Sequence, residues 1–157
     1  MKPGLTKLAA CIIVTGLGAA GPALSTDMSS LPPIQVQGAV SYITGGVGEE
    51  EAAAFRHVAP TYPLEMLFVQ KARPKDVFLA DVRVSVRDRS GNSLLETTAD
   101  GPFLLAALPA GKYGIEAEIH GERKHHTVEI RPGKHQRAVF VWASRDEYEE
   151  SVLSGAR

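Results

Sequence analysis

Between Asp81 and Ile119 the chain reads DVRVSVRDRSGNSLLETTADGPFLLAALPAGKYGIEAEI, a series of short alternating segments punctuated by turn residues. Val82, Val84 and Val86 alternate with Arg83, Ser85 and Arg87, and Tyr113, Ile115, Ala117 and Ile119 are interleaved with Glu116, Glu118 and His120. A period of two sends one set to a buried face and the other to water, which a helix cannot do. Ser90-Gly91-Asn92, Asp100-Gly101-Pro102 and Pro109-Ala110-Gly111-Lys112 supply the turns. About seven strands at this spacing must each bury a face, and the expected fold is an all-β antiparallel sandwich.

The flanking sequence extends the pattern. Ile34 to Ile43 is expected to be the first strand, with Ile34, Val36, Val40 and Tyr42 on one face and Gln35, Gln37 and Ser41 on the other. Thr44-Gly45-Gly46-Val47-Gly48 is a turn, and Glu49 to Val58 reads as one short helix between the first two strands. Glu49, Glu50 and Glu51 suit the positive end of its dipole, Arg56 and His57 suit the negative end, and Pro60 stops it. Strands are expected at Leu64–Val69, Val77–Asp88, Ser93–Thr98, Phe103–Leu108, Tyr113–His120, Arg123–Ile130 and Arg137–Trp142. Phe103–Leu108 is apolar at both parities, which predicts a central strand covered on both faces.

Residues 1–25 have the order of a secretory signal peptide. Lys2 and Lys7 precede an apolar run from Leu8 to Ala20, and Ala23-Leu24-Ser25 provides small residues for cleavage. The run is shorter than the roughly 20 residues a membrane span needs. Leu8-Ala9-Ala10-Cys11 matches a lipobox, but almost no apolar run precedes the cysteine, and this weighs against lipidation at Cys11. Cleavage would leave 132 of the 157 residues, one domain's worth, and would remove the single cysteine. No disulfide or thiolate metal ligand is then expected. Two of the 17 basic residues and no acidic ones lie in the leader, which takes the formal charge from −1 to −3. That is a poor match for nucleic acid, which draws clustered Lys and Arg. The expected organisation is signal peptide 1–25, linker 26–33, sandwich 34–143 and polar tail 144–157, periplasmic or secreted, with no transmembrane segment after cleavage.

The strand opened by Ala80-Asp81-Val82, the turn Asp88 to Gly91, Asp100-Gly101-Pro102-Phe103 and Leu108-Pro109-Ala110-Gly111-Lys112-Tyr113 together resemble the carboxypeptidase regulatory-like domain, a transthyretin-like sandwich. Over Val36 to Trp142 the chain also resembles small exported proteobacterial proteins with a Gly-Gly-Val-Gly-acidic segment and a helix ahead of this domain. The resemblance implies an accessory module with no catalytic apparatus of its own; fold by itself does not imply function.

Residue constellations with chemical potential are few. His126-Thr127-Val128-Glu129 has the spacing of a His-x-x-Glu zinc pair, but in a strand positions i and i+3 point to opposite faces. His120, His125, His126 and His135 could gather at strand ends as a metal site or support a His-dependent hydrolase; His125 and His126 face opposite ways, so at most three converge. The turn before the helix lacks the Lys-Ser/Thr of a phosphate loop, and three glutamates occupy its anion-binding end. The only asparagine, Asn92, lies in a turn, unsuited to a Lys–Asn crosslink. No cofactor is expected. The functional expectation is a non-enzymatic exported module that binds a protein or envelope component, with the interaction region at Gly45, Gly46, Gly48, Glu49 and Glu50. A carbohydrate-binding module is the alternative, and needs exposed rings.

Overall fold

A computed structural model describes residues 30–144. The expected signal peptide and residues 145–157 of the expected tail lie outside them. Among the described residues the order is β1 (Gln35–Gln37), β2 (Val40–Gly45), α1 (Glu49–Val58), β3 (Leu64–Gln70), β4 (Val77–Phe78), β5 (Val82–Asp88), β6 (Ser93–Ala99), β7 (Phe103–Ala107), β8 (Gly111–Ile119), β9 (Glu122–Ile130) and β10 (Gln136–Trp142). One sheet runs β1-β2-β7-β3-β10, with β4 also paired to β3, and the other runs β6-β5-β8-β9. This is the all-β sandwich with one short helix that the turn grammar requires.

Three features depart from the sequence expectation. The segment from Ile34 to Ile43 is not one strand but a hairpin. Gly38 takes a left-handed backbone (φ 58°), and Gln37 pairs with Val40 across a two-residue loop. Gln35 therefore faces Tyr42, and the parity reverses between the two arms. Gln35 and Gln37 share the inner face, while Ile34 and Val36 turn outward at 64% and 70% exposure. The second departure is a break between β4 and β5, where Asp81 adopts φ 59°. The third is orientation: β10 runs parallel to β3, in register from Gln136 opposite Leu64 to Trp142 opposite Gln70. Every other pairing among the described residues is antiparallel.

The main core lies between the sheets. Val82, Val84 and Val86 meet Tyr113, Ile115 and Ala117 on one side and Leu64, Met66 and Phe68 on the other, all buried. A second cluster lies outside the β1–β10 sheet, where Phe55 of α1 packs with Ile43, Leu67, Phe103 and Leu105. The Phe55 and Phe103 rings stack with centroids 5.6 Å apart. β7 is thus buried on both faces, Leu104 and Ala106 inward and Phe103 and Leu105 under the helix, as its unbroken apolarity predicts. Burial of each of the leucine and phenylalanine side chains contributes about 1.5–3 kcal/mol.

Turn chemistry fixes the corners. Asp88 Oδ1 accepts the Ser90 and Asn92 backbone N–H groups (2.8 and 2.9 Å), and its Oδ2 accepts the Asn92 side-chain amide (2.9 Å). The Leu108–Tyr113 corner is closed by the Tyr113 hydroxyl, which donates to the Pro109 carbonyl at 2.9 Å. Burial, and secondarily the Asp88 charge, push the Tyr113 phenol above its ordinary value. Both open sides of the sandwich are bridged. Gln37 Oε1 accepts the Glu96 N–H of edge strand β6 (2.6 Å), and the Trp142 indole donates to the Glu122 carbonyl of edge strand β9 (3.3 Å).

Candidate functional site

The glycine turn leading into α1 divides into a packed half and an open half. Gly45 and Gly46 are buried. A Cβ on Gly46 would collide with the Phe103 ring, and one on Gly101 would collide with the Gly45 carbonyl. These glycines let the turn lie flat on β7 so that Phe55 can reach Phe103. Thr44 completes the contact, donating to the Phe103 carbonyl and accepting the Asp100 N–H, each at 3.1 Å. Gly48, Glu49 and Glu50 are exposed beside Val47, itself 62% exposed. Glu51 bends back to accept the Val47 N–H (3.1 Å), which anchors the helix start.

His125 and His126 have separate partners. The His126 ring lies 4.5 Å from that of Phe140, while His125 Nδ1 lies 3.5 Å from Glu116 on the opposite face of β9. Glu129 is bonded to Arg131 (2.8 Å) rather than directed toward His126. Arg131 holds the Glu129 carboxyl below the ordinary range. His120, at φ 51°, occupies the β8–β9 turn with Gly121, at φ 81°. Among the described residues no three His, Cys, Asp or Glu side chains converge as a metal site.

His135 belongs to a cluster that strand-by-strand reading misses. Glu65, on β3, is 6% exposed, and with Thr44 it forms the buried polar set among the described residues. Its Oε2 lies 3.0 Å from His135 Nε2 and its Oε1 lies 3.2 Å from Arg137 Nε. His135 Nδ1 is 2.9 Å from the Tyr62 carbonyl. A carbonyl and an ionised carboxylate both only accept. Both ring nitrogens of His135 thus face acceptor oxygens, which holds the ring between β3 and the Tyr62 backbone. The parallel register that sets Arg137 opposite Glu65 brings these residues together. The available sequence signal was a lone acid within the apolar run Leu64–Val69.

Beside His135 a cavity of about 350 Å³ opens between the Ala59–Thr61 turn that follows α1 and the β9–β10 turn. Its apolar lining includes Tyr62, Leu108 and Ile130. Its ionisable lining, Tyr62 apart, is Arg131, Lys134 and His135, with no carboxylate. Burial raises the Tyr62 phenol above its ordinary value.

The two outer faces of the sandwich differ in kind. On the β6-β5-β8-β9 sheet Arg83 and Arg123 flank Glu118 at 2.6 and 2.8 Å, and Arg87 meets Glu96 at 3.3 Å. Such solvated pairs contribute about 0–1 kcal/mol each, and they hold water on this face. The large exposed apolar side chains among the described residues, Ile34, Val36, Val47, Val77, Phe78 and Val141, all belong to the other sheet or its flanking turns. Phe78, Val69 and Val141 form one cross-strand row. The rings of Trp142 and Tyr113 are buried, at 2% and 6% exposure, and present no sugar-stacking platform. No described helix is long and apolar enough to cross a membrane.

No family model matches the chain, and no curated protein does. Solved structures similar to it include GBS52, the minor pilin of Streptococcus agalactiae, at 18% identity and TM-score 0.41, covering 52% of this chain and 43% of that one. Another is the Bacillus anthracis TIE protein, at 12% identity and TM-score 0.37, covering 52% and 16%. A third is BcpA, the major pilin subunit of Bacillus cereus, at 14% identity and TM-score 0.29, covering 52% and 27%. The chain spans less than half the length of each. These likenesses cover about half of this chain, and no functional residue is carried over from them.

Proposed function

We propose that the protein is an exported, non-catalytic β-sandwich module of the carboxypeptidase regulatory-like kind that binds a protein of the cell envelope through the outer side of its β1–β10 sheet. The observation that carries this reading is the asymmetry of the two faces. One is a solvated ladder of ion pairs, and the other bears the exposed Phe78 and Val141 in one row with Val69. Exposed apolar side chains that adjoin on one surface, as Phe78 and Val141 do through Val69, are a common mark of a protein contact. The Gly48–Glu50 end of the helix borders this side and supplies an acidic rim. Export rests on the n-region, apolar run and cleavage order of residues 1–25.

The test is site-specific photo-crosslinking from Phe78 and Val141, with Thr98 on the ion-pair face as control. Discrete adducts from the first two and none from Thr98 are expected in cells of the source organism. Equal labelling from all three sites, or none from any, would overturn the reading.

A further inference from the structure

We infer that the cavity beside His135 is a binding site for a carboxylate carried on a small apolar body. This goes beyond the protein-binding reading and uses a different surface. The cavity, at about 350 Å³, is within the range of small-ligand pockets. Leu108 and Ile130 are buried and give it an apolar wall, with Tyr62 beside them. Its basic lining is Arg131, Lys134 and His135, in a chain whose formal charge is −1.

The neighbouring charges leave a net positive balance. Arg131 is bonded to Glu129 at 2.8 Å, and Arg137 is paired with Glu65 at 3.2 Å. Lys134 has no ion-pair partner among the described residues, so its three N–H donors are available to a ligand. His135 does not supply a free donor, because both nitrogens are engaged by Tyr62 and Glu65. Its part is to hold a rigid wall. The turn that presents Lys134 is itself fixed, with the Lys134 N–H donating to the Arg131 carbonyl at 3.1 Å. Apolar walls plus an uncompensated ammonium carried on a fixed turn match an amphipathic anion better than a sugar or a cation.

The carboxylate could come from a free small acid or from the C-terminus of a peptide, and both are tested by amide chemical shifts of the labelled full chain. The probes are 3-phenylpropionate and Ala-Ala-Phe, each beside its C-terminal amide. Saturable shifts are expected at Tyr62, Gly133, Lys134 and His135 with the carboxylates. Amidation should weaken binding about tenfold or more, as loss of a charged hydrogen bond does. Lys134→Ala should weaken both carboxylates by a similar factor, while Lys134→Arg retains them; both changes are at an exposed position and should leave the spectrum dispersed. Tighter binding of the peptide acid identifies a chain terminus as the ligand, and tighter binding of the free acid identifies a small molecule. Absence of saturable shifts with either carboxylate, amides that bind as well as acids, or an indifferent Lys134→Ala would overturn the proposal. None of these outcomes bears on Phe78 or Val141, so the protein-binding reading stands or falls separately.

Discussion

Gly46 and Gly48 both have φ of 90°, yet a side chain would meet different surroundings at each. The Cβ of Gly46→Ala enters the Phe103 ring, whereas that of Gly48→Ala enters open space. Both variants should be destabilised by the backbone cost of a side chain at positive φ, and Gly46→Ala by about 1–3 kcal/mol more, read by urea unfolding. The Asp88 turn offers a residue-scale titration. The Asn92 side-chain amide, then the Asn92 backbone N–H, hold the Asp88 carboxyl below its ordinary value. Its folded value lies below the unfolded one, so the associated stability is present above the ordinary carboxylate range. It is lost as pH falls through the depressed folded value. Asn92→Ala should raise the Asp88 midpoint in a carboxyl carbon NMR titration; an unchanged midpoint would remove the side-chain amide as the cause. The glycines of this turn and the capping aspartate were readable from residue type. The collision at Gly46 was not, because it depends on a ring 57 positions away.

At the scale of elements, α1 is held by its contact with the sheet more than by its own propensity. Phe55 is its fully buried side chain and stacks on Phe103. Phe55→Ala should cost about 3–5 kcal/mol and lower the helical signal in circular dichroism, while Glu49→Ala should cost only a few tenths to 1 kcal/mol. The helix limits were legible because three acids, two bases and Pro60 mark both ends. The β1–β2 hairpin was hidden because Gly38 sits in a segment whose alternation reads equally well as one long strand. Only the reversed parity across a two-residue loop reveals that Ile34 and Val36 face outward. The Glu65 cluster ties together the starts of β3 and β10. Glu65→Ala leaves His135 and Arg137 without their shared acceptor, at a cost of about 1–3 kcal/mol, since both can recover water. A double-mutant cycle of Glu65→Ala with Arg137→Ala should show coupling, and additive losses would count against the pair. Nothing in a strand's own alternation states which strand lies beside it or in which direction, so this cluster could not be assembled from sequence.

For the whole molecule, the division between a charged face and an apolar-bearing face predicts a separation of stability from binding. Phe78→Glu and Val141→Lys act on side chains that are 54% and 39% exposed. They should leave the unfolding midpoint within about 0.5 kcal/mol of the parent while abolishing the crosslinks expected from this face. A variant that unfolds would show the row to be core instead. The parallel pairing of β3 with β10 has a further consequence, for timing. β10 is the last strand described, and without it the outer edge of β3, Glu65 included, has no mate. A chain made from its first residue onward therefore carries most of its described β-structure while one sheet is still open. Locking waits for residues 136–142, and contacts so distant in sequence are slow to form. Until those residues dock, β3 remains an open edge, a row of unpaired backbone groups that another extended segment could join.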